Sequence, residues 1–246
     1  MLRGVLISSS SGIVLFLKEY SFSLPHPNML AGLISAMITS SSHQIGYKTS
    51  FVHFGKLSLA FAQDNKTKLN CIVFYDPTDQ QEFGRILSRA ILSGFTCEFH
   101  SQVARGGPWM EEQFQSFQRV LPEIIKGSIQ TIIQNLVAEK GVDRVTVSSG
   151  TSFYSTDEID QVSFLPNLDE LLENASDLMS FHDDFPFIVS LDNLSKRVLI
   201  QKIEKATVVL MCSAKLDLVK CKSLLSSTCI MVERVLMIQP DQEIVF

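Results

Sequence analysis

The chain of 246 residues has no basic run, and its 21 Lys and Arg are outnumbered by 26 Asp and Glu, for a net charge of −5. Phosphate backbones and anionic lipid surfaces are bound by clustered cations, so this balance argues against nucleic acid and against a polybasic membrane patch. Long apolar runs are missing too. No stretch reaches the ~18 apolar residues that a membrane-spanning helix needs. The opening MLRGVLISSSSGIVLFLKEY superficially suggests a signal peptide, but Ser8 to Ser11 interrupt its apolar run and Lys18 and Glu19 follow it. A signal sequence has one unbroken apolar block and then a small-residue cleavage site. The segment is therefore expected to remain as structure, with Met1 leading straight into a first strand. Close cysteine pairs are also lacking. Five Cys, an odd number, fit a reducing cytosol better than a disulfide framework. The sequons at Asn65, Asn174 and Asn193 then read as chance matches.

Catalytic signatures are missing as well. There is no G-x-x-x-x-G-K-[ST] loop, no G-x-G-x-x-G, no H-E-x-x-H and no G-x-S-x-G elbow. Ser149-Gly150-Thr151-Ser152 reads as a polar turn. His182-Asp183-Asp184 gathers three metal-ligand types, yet adjacent side chains diverge and no further His or Cys is expected nearby, so a solvated helix end is the better reading. Glu98 and His100 fall at the end of an expected helix, where the macrodipole favours a His. Cys212, Cys221 and Cys229 are too widely spaced for a close-ligand zinc pattern and read as buried small hydrophobes. Ser8 to Ser11 have no identifiable base and read as a hairpin turn. The expectation is a non-catalytic protein with no cofactor and no metal.

What the sequence does have is apolar character: 46% hydrophobic residues against 19% charged. A surplus of this kind suggests that some apolar surface is covered by a partner or a second copy. Leu2 to Ile7 and Ile13 to Tyr20 read as paired strands across a Ser-Ser-Gly turn. Pro25 and Pro27 end that hairpin, and Asn28 could cap a helix running to about Gln44, with Leu30, Leu33, Ile34, Met37 and Ile38 at helical spacing. Tyr47 to Phe54, Leu57 to Ala62 and Leu69 to Tyr75 read as three strands. A helix then starts after Asp76-Pro77-Thr78-Asp79 and runs to about Phe99. Beyond the breaker Gly106-Gly107-Pro108 a long helical pattern holds Phe114, Phe117, Leu121 and Ile125, with a kink or two abutting helices expected at Pro122. The second half gives a strand at Arg144 to Ser148, a weak strand near Ser152 to Ser155, and an acidic amphipathic helix at Asn167 to Phe181. Strands at Phe187 to Leu191, Val198 to Ile203 and Thr207 to Cys212 and a last helix at Leu216 to Met237 complete it.

The order strand, strand, helix, three strands, helices, with SSGIVLF as second strand and CIVFYDP before the next helix, resembles the longin family over residues 1–120. Residues 121–246 are similar to a roadblock-like module or a second, degenerate longin. The resemblance implies an α+β fold: a longin-like (profilin-like) antiparallel sheet sandwiched by helices, followed by a second roadblock/longin-like α/β module. It implies a cytoplasmic adaptor or scaffold in vesicle trafficking or small-GTPase regulation, reaching endomembranes only through its partners. Those partners would be other longin or roadblock-type subunits, a second copy, a small GTPase or a SNARE. The expected contact surface is the first helix, whose Ser35, Thr39, Ser40 and Ser42 are small and uncharged, together with a strand edge. Its candidate residues are Leu30, Ile34, Ser35, Met37, Ile38, Ser50 and His53. Two alternatives stand beside this reading: a small-ligand sensor, and a profilin-like-fold hydrolase using His182 and nearby acids.

Overall fold

Leu2–Ser8 and Val14–Glu19 form strands β1 and β2, joined through a turn in which Ser9 N donates to Ile13 O (2.9 Å) and Gly12 adopts a φ of 83°. Their register slips between Ile7, opposite Phe16, and Ser8, opposite Val14. This bulge at Leu15 shifts the alternation of faces by one residue, so that Val14 and Leu17 fall on the same side. Val14 and Leu17 join the cluster on one side of the sheet, while Phe16 meets Phe117 edge-on at 5.1 Å on the other.

The computed structural model describes residues 1–44, 50–105, 109–150, 152–156 and 188–238, which build two compact units, on Met1–Ser128 and on Ile129–Met237. In the first unit, helix α1 (Pro27–Gln44) follows β2, and β3 (Phe51–Phe54), β4 (Leu57–Gln63) and β5 (Asn70–Tyr75) complete an antiparallel sheet of order β2-β1-β5-β4-β3. α1 thus connects one sheet edge to the other, and its Ala31, Ile34 and Ile38 pack on Leu6, Leu59, Phe61, Ile72 and Phe74. The helix starts at Pro27, whose missing N–H costs nothing in a first turn. Asn28, expected as the cap, instead offers its Oδ1 to Val14 N (3.4 Å) and so ties the helix to β2.

The opposite face is covered by α2 (Gln81–Glu98), which buries Phe83, Leu87, Ile91 and Phe95. Contact there is tight. A Cβ on Gly84 would lie 2.3 Å from Tyr75 Cε1, so the helix rests directly on the tyrosine ring. Phe99 ends α2 and is drawn into a cluster of rings with Phe95, Phe114 and Phe117, at centroid distances of 5.0 to 6.2 Å. Such pairs add about 0.5–1.5 kcal/mol each beyond area burial. This changes the expected position of His100: it opens a separate short helix, α3 (His100–Arg105), rather than closing α2. A 3-10 turn at Glu111–Phe114 leads into α4 (Phe117–Val137), one helix that runs through Pro122 in place of the two abutting helices considered above.

In the second unit, β6 (Val142–Ser149) and β7 (Ser152–Ser155) form a hairpin, followed by β8 (Ile188–Asp192), β9 (Lys196–Ile203), β10 (Ala206–Ser213) and α5 (Leu218–Leu236). Its sheet order, β7-β6-β10-β9-β8, reproduces that of the first unit strand for strand. Both units are therefore α+β with an antiparallel, longin-like sheet. The helix expected at Asn167 to Phe181 and the His182-Asp183-Asp184 cluster lie outside the described residues. Among the described residues, no helix is long and apolar enough to cross a membrane.

Two glycines test the seating of the helices in the first unit. Gly84→Ala drives a methyl into Tyr75, and Gly12→Ala must hold a positive φ while meeting the Gly32 backbone, whose Cα lies 2.5 Å from the added Cβ. Each should lower unfolding free energy by about 1–3 kcal/mol, read as a fall in Tm. Gly127→Ala, with nothing within 4 Å of its added Cβ, should not.

Candidate functional site

Helix α1 is unusual in that none of its 18 residues, PNMLAGLISAMITSSSHQ, is Asp, Glu, Lys or Arg. A helix at a protein surface ordinarily carries charge on its outer side. Its seating on the sheet comes from two contacts. At the β1–β2 turn, Gly12 meets the Gly32 backbone with no room for a Cβ. One residue row further, Ser35 enters a buried polar node: Asn70 Nδ2 donates to Ser35 Oγ (3.2 Å) and to Ser9 O (3.5 Å), and Ser35 Oγ donates to Ser9 O (3.4 Å). Gln63 Nε2 completes the node by donating to Asn70 Oδ1 (3.0 Å). The hydrogen bonds of Ser35 contribute about 0.5–1.5 kcal/mol each, so the node favours the rotation of α1 that supplies Ser35.

This seating decides which residues a partner can reach. Ile34, Ser35 and Ile38 are buried against the sheet, and Leu30 and Met37 are half-buried. The candidate contact surface on α1 therefore shifts by about a third of a turn from the residues expected from the sequence. Met29 and Leu33 stand outward, 70% and 56% exposed, with Ala36, Thr39 and Ser40 exposed beyond them. The Cβ direction of Gly32 is open. Leu33 belongs to the apolar stripe at helical spacing, and Met29 falls outside it. Their signal was present in the missing charge rather than in the periodicity.

Ser50 and His53 belong to the far edge of the same sheet, where β3 pairs with β4. Ser50 O accepts from Phe61 N (2.9 Å), and the exposed His53 hydrogen-bonds Ser58 Oγ through Nδ1 (3.0 Å). Phe54 ends the strand exposed. At the opposite edge, a groove of ≈ 850 Å³ runs between Phe16 and Leu17 of β2 and Gln115, Gln118, Arg119 and Pro122. Pro122 has no N–H for the Gln118 carbonyl on that wall.

The three cysteines read from the sequence as buried, Cys212, Cys221 and Cys229, are so placed. Cys71, Cys212, Cys221 and Cys229 are buried and Cys97 is exposed. Burial pushes the Cys71 thiol up, and pushes Cys212 and Cys229 up to about 12, aided at Cys212 by Cys221 and at Cys229 by the Glu233 carboxylate. The Cys212 and Cys221 sulfurs lie 3.3 Å apart. Among the described residues, no group of three or more His, Cys, Asp or Glu is arranged to hold a metal ion.

No family model matches the chain, and no curated protein matches it either. Among solved structures, Myxococcus xanthus MglB is 8% identical with a TM-score of 0.38, over 44% of this chain and 94% of that one. The roadblock/LC7 domain from Streptomyces avermitilis is 13% identical with a TM-score of 0.33, over 44% of this chain and 98% of that one. The gliding protein MglB from Thermus thermophilus is 16% identical with a TM-score of 0.31, over 35% and 68%. Likeness at this level supports no argument about activity, and the fold assignment rests on the strand order and register described above.

Two measurements check this geometry. Asn70→Ala should lower stability by about 1–3 kcal/mol in denaturant titration, because Ser35 and Gln63 lose their shared partner. In the folded protein, a thiol reagent should label Cys97 promptly and the four buried cysteines only on unfolding, since the thiolate is the reactive form. Rapid labelling of a second cysteine would contradict the burial.

Proposed function

We propose that the chain is a non-catalytic subunit of a protein complex, acting through the outer face of α1 in small-GTPase regulation or vesicle trafficking. The observation that carries this reading is the charge-free helix with Met29 and Leu33 held outward by contacts on its other side. Two exposed large apolar side chains on a helix without a salt-bridging rim suit a flat apolar partner surface better than bulk water. The resemblance to longin domains supplies the class of partner: another longin or roadblock-type subunit, a second copy, a small GTPase or a SNARE. Location in the cytoplasm, with endomembranes reached through those partners, follows from the same reading. The charged pairs of the described residues fit it too. Asp143 with Lys196 and Asp192 with Arg197 tie strands and loops together, and Asp76 joins Arg3 and the Met1 amino group at the β5–α2 turn.

The test is affinity purification of the full chain with mass spectrometry, followed by a nucleotide-exchange assay on any GTPase recovered. The Met29→Glu/Leu33→Glu double variant should keep the wild-type Tm to within a degree or two, since both residues are exposed. It should lose at least tenfold of the partner recovered, because two carboxylates would be desolvated at the contact. A wild-type chain that purifies as a partner-free monomer, or a double variant that retains every partner, would overturn the proposal.

A further inference from the structure

Three separate segments of the second unit meet at one end of its sheet: the α4–β6 turn, the β8–β9 turn and the loop from β10 into α5. Ser213 N donates to Gly141 O (2.9 Å), Ala214 N to Ser195 O (3.0 Å) and Arg197 Nη1 to Leu216 O (2.8 Å), so the three are tied together. The β8–β9 turn is firmly closed. Asn193 Oδ1 accepts from Ser195 N (2.9 Å) and Lys196 N (2.7 Å), and Asn193 N donates to Lys196 O (2.9 Å). Leu194 stands at the tip of that turn, fully exposed. Asp217 caps α5 by accepting from Lys220 N (3.0 Å), and the first turn of the helix leaves Leu218 and Val219 exposed, Val219 at 74%. Exposed apolar side chains gathered in one place mark a surface that meets a partner or a membrane.

The charge around them is unevenly matched. Each carboxylate at this end is engaged: Asp143 with Lys196 (2.7 Å), Asp192 with Arg197 (2.9 Å), Glu139 with Lys220 (3.6 Å), and Asp217 at the helix cap. Lys140, Lys215 and Lys222 are exposed and have no ion-pair partner among the described residues. These lysines are left over in a chain whose net charge is −5. Val219 and Lys222, three residues apart, are neighbours on one side of α5. The sequence holds no basic run, because the fold gathers these lysines from separate segments.

We propose that this end of the second unit docks on an anionic lipid surface. Leu194, Leu218 and Val219 enter the interface, and Lys140, Lys215 and Lys222 meet the charged headgroups. Unmatched lysines suit any acidic surface, but isolated apolar tips favour a bilayer, whose interface accepts them without a shaped pocket. The contact is direct, is separate from α1 and goes beyond the partner-mediated role.

In the test, the full chain is co-sedimented with phosphatidylcholine vesicles containing about a third phosphatidylserine, and with vesicles of phosphatidylcholine alone. Binding should occur to the anionic vesicles only and should fall as salt rises. Lys215→Ala/Lys222→Ala should weaken it by about tenfold or more. Leu194→Ser/Val219→Ser should weaken it by about tenfold at unchanged Tm, since both positions are exposed. Leu194→Trp should show a blue shift in emission on anionic vesicles, against the background of Trp109, the one native tryptophan. Met29→Glu/Leu33→Glu should leave vesicle binding unchanged, so the result stands apart from the α1 surface. Absence of binding to anionic vesicles, equal binding to both kinds, or no emission shift would overturn the proposal. Loss with the lysine pair but none with the apolar pair would also overturn it, and would mark a site for an acidic macromolecule instead.

Discussion

The seating of α1 on the β1–β2 turn is the constraint on which the first unit's surface depends. Hydrophobicity alone hardly decides it. Burying Ile34 and Ile38 or burying Met29 and Leu33 would each gain roughly 1.5–3 kcal/mol per side chain, so the two rotations of the helix nearly balance on transfer free energy. The polar node breaks the tie. Only with Ser35 inward does Asn70 reach a side-chain hydroxyl on α1, a hydrogen bond worth about 0.5–1.5 kcal/mol. The Gly12 contact adds a steric requirement, since backbone lies against backbone there and neither chain can move closer or turn away. Polar and steric contacts of modest size thus select the face of α1 that is left exposed.

The same strand order occurs in both units, but the helices over it are seated differently. On the α2 side of the first sheet, small residues let the helix close down: Ala60 lies in β4, and Gly84 lies against the Tyr75 ring. The corresponding strand of the second sheet, β9, carries Leu199 and Gln201 in its α5-facing row. α5 meets that end of the strand with Ser226, Cys229 and Ile230, and a cavity remains. That space follows from a change in side-chain size and polarity on a shared topology, with no change in the backbone plan.

Much of this architecture was legible in the sequence, for local reasons. Strands β1, β4, β5, β9 and β10 are short apolar runs bounded by turn residues, and even the weak Ser152–Ser155 strand is present because β6 offers it a partner edge. The faces of α1 were not legible. With apolar residues on both sides and no charge to mark solvent, a 3.6-residue period fits either rotation, and the contacts that choose between them involve Ser9, Gly12 and Asn70, distant in sequence. The break between α2 and α3 was hidden for a similar reason, since Phe99 leaves the helical path to join rings contributed by residues 114 and 117. The direction of Gln201 was not legible either: inside the strand expected at Val198 to Ile203, only the ladder shows which way it points.

Charge and apolar surface divide the work in this chain. Several ion pairs of the described residues join neighbouring elements, as where Arg197 reaches both Asp192 and the Leu216 carbonyl, or where Arg3 bridges Asp76 and Ser21. Exposed pairs of this kind contribute little individually, ~0–1 kcal/mol, and their value is in fixing loop geometry. Asp76 is an example: burial alone would raise its carboxyl, yet hydrogen bonds from Arg3 and the Met1 amino group hold it below its ordinary range. Those interactions anchor the β5–α2 turn, and that turn sets where α2 begins its descent onto Tyr75. On α1, where no residue is charged, Met29 and Leu33 are left exposed as apolar surface.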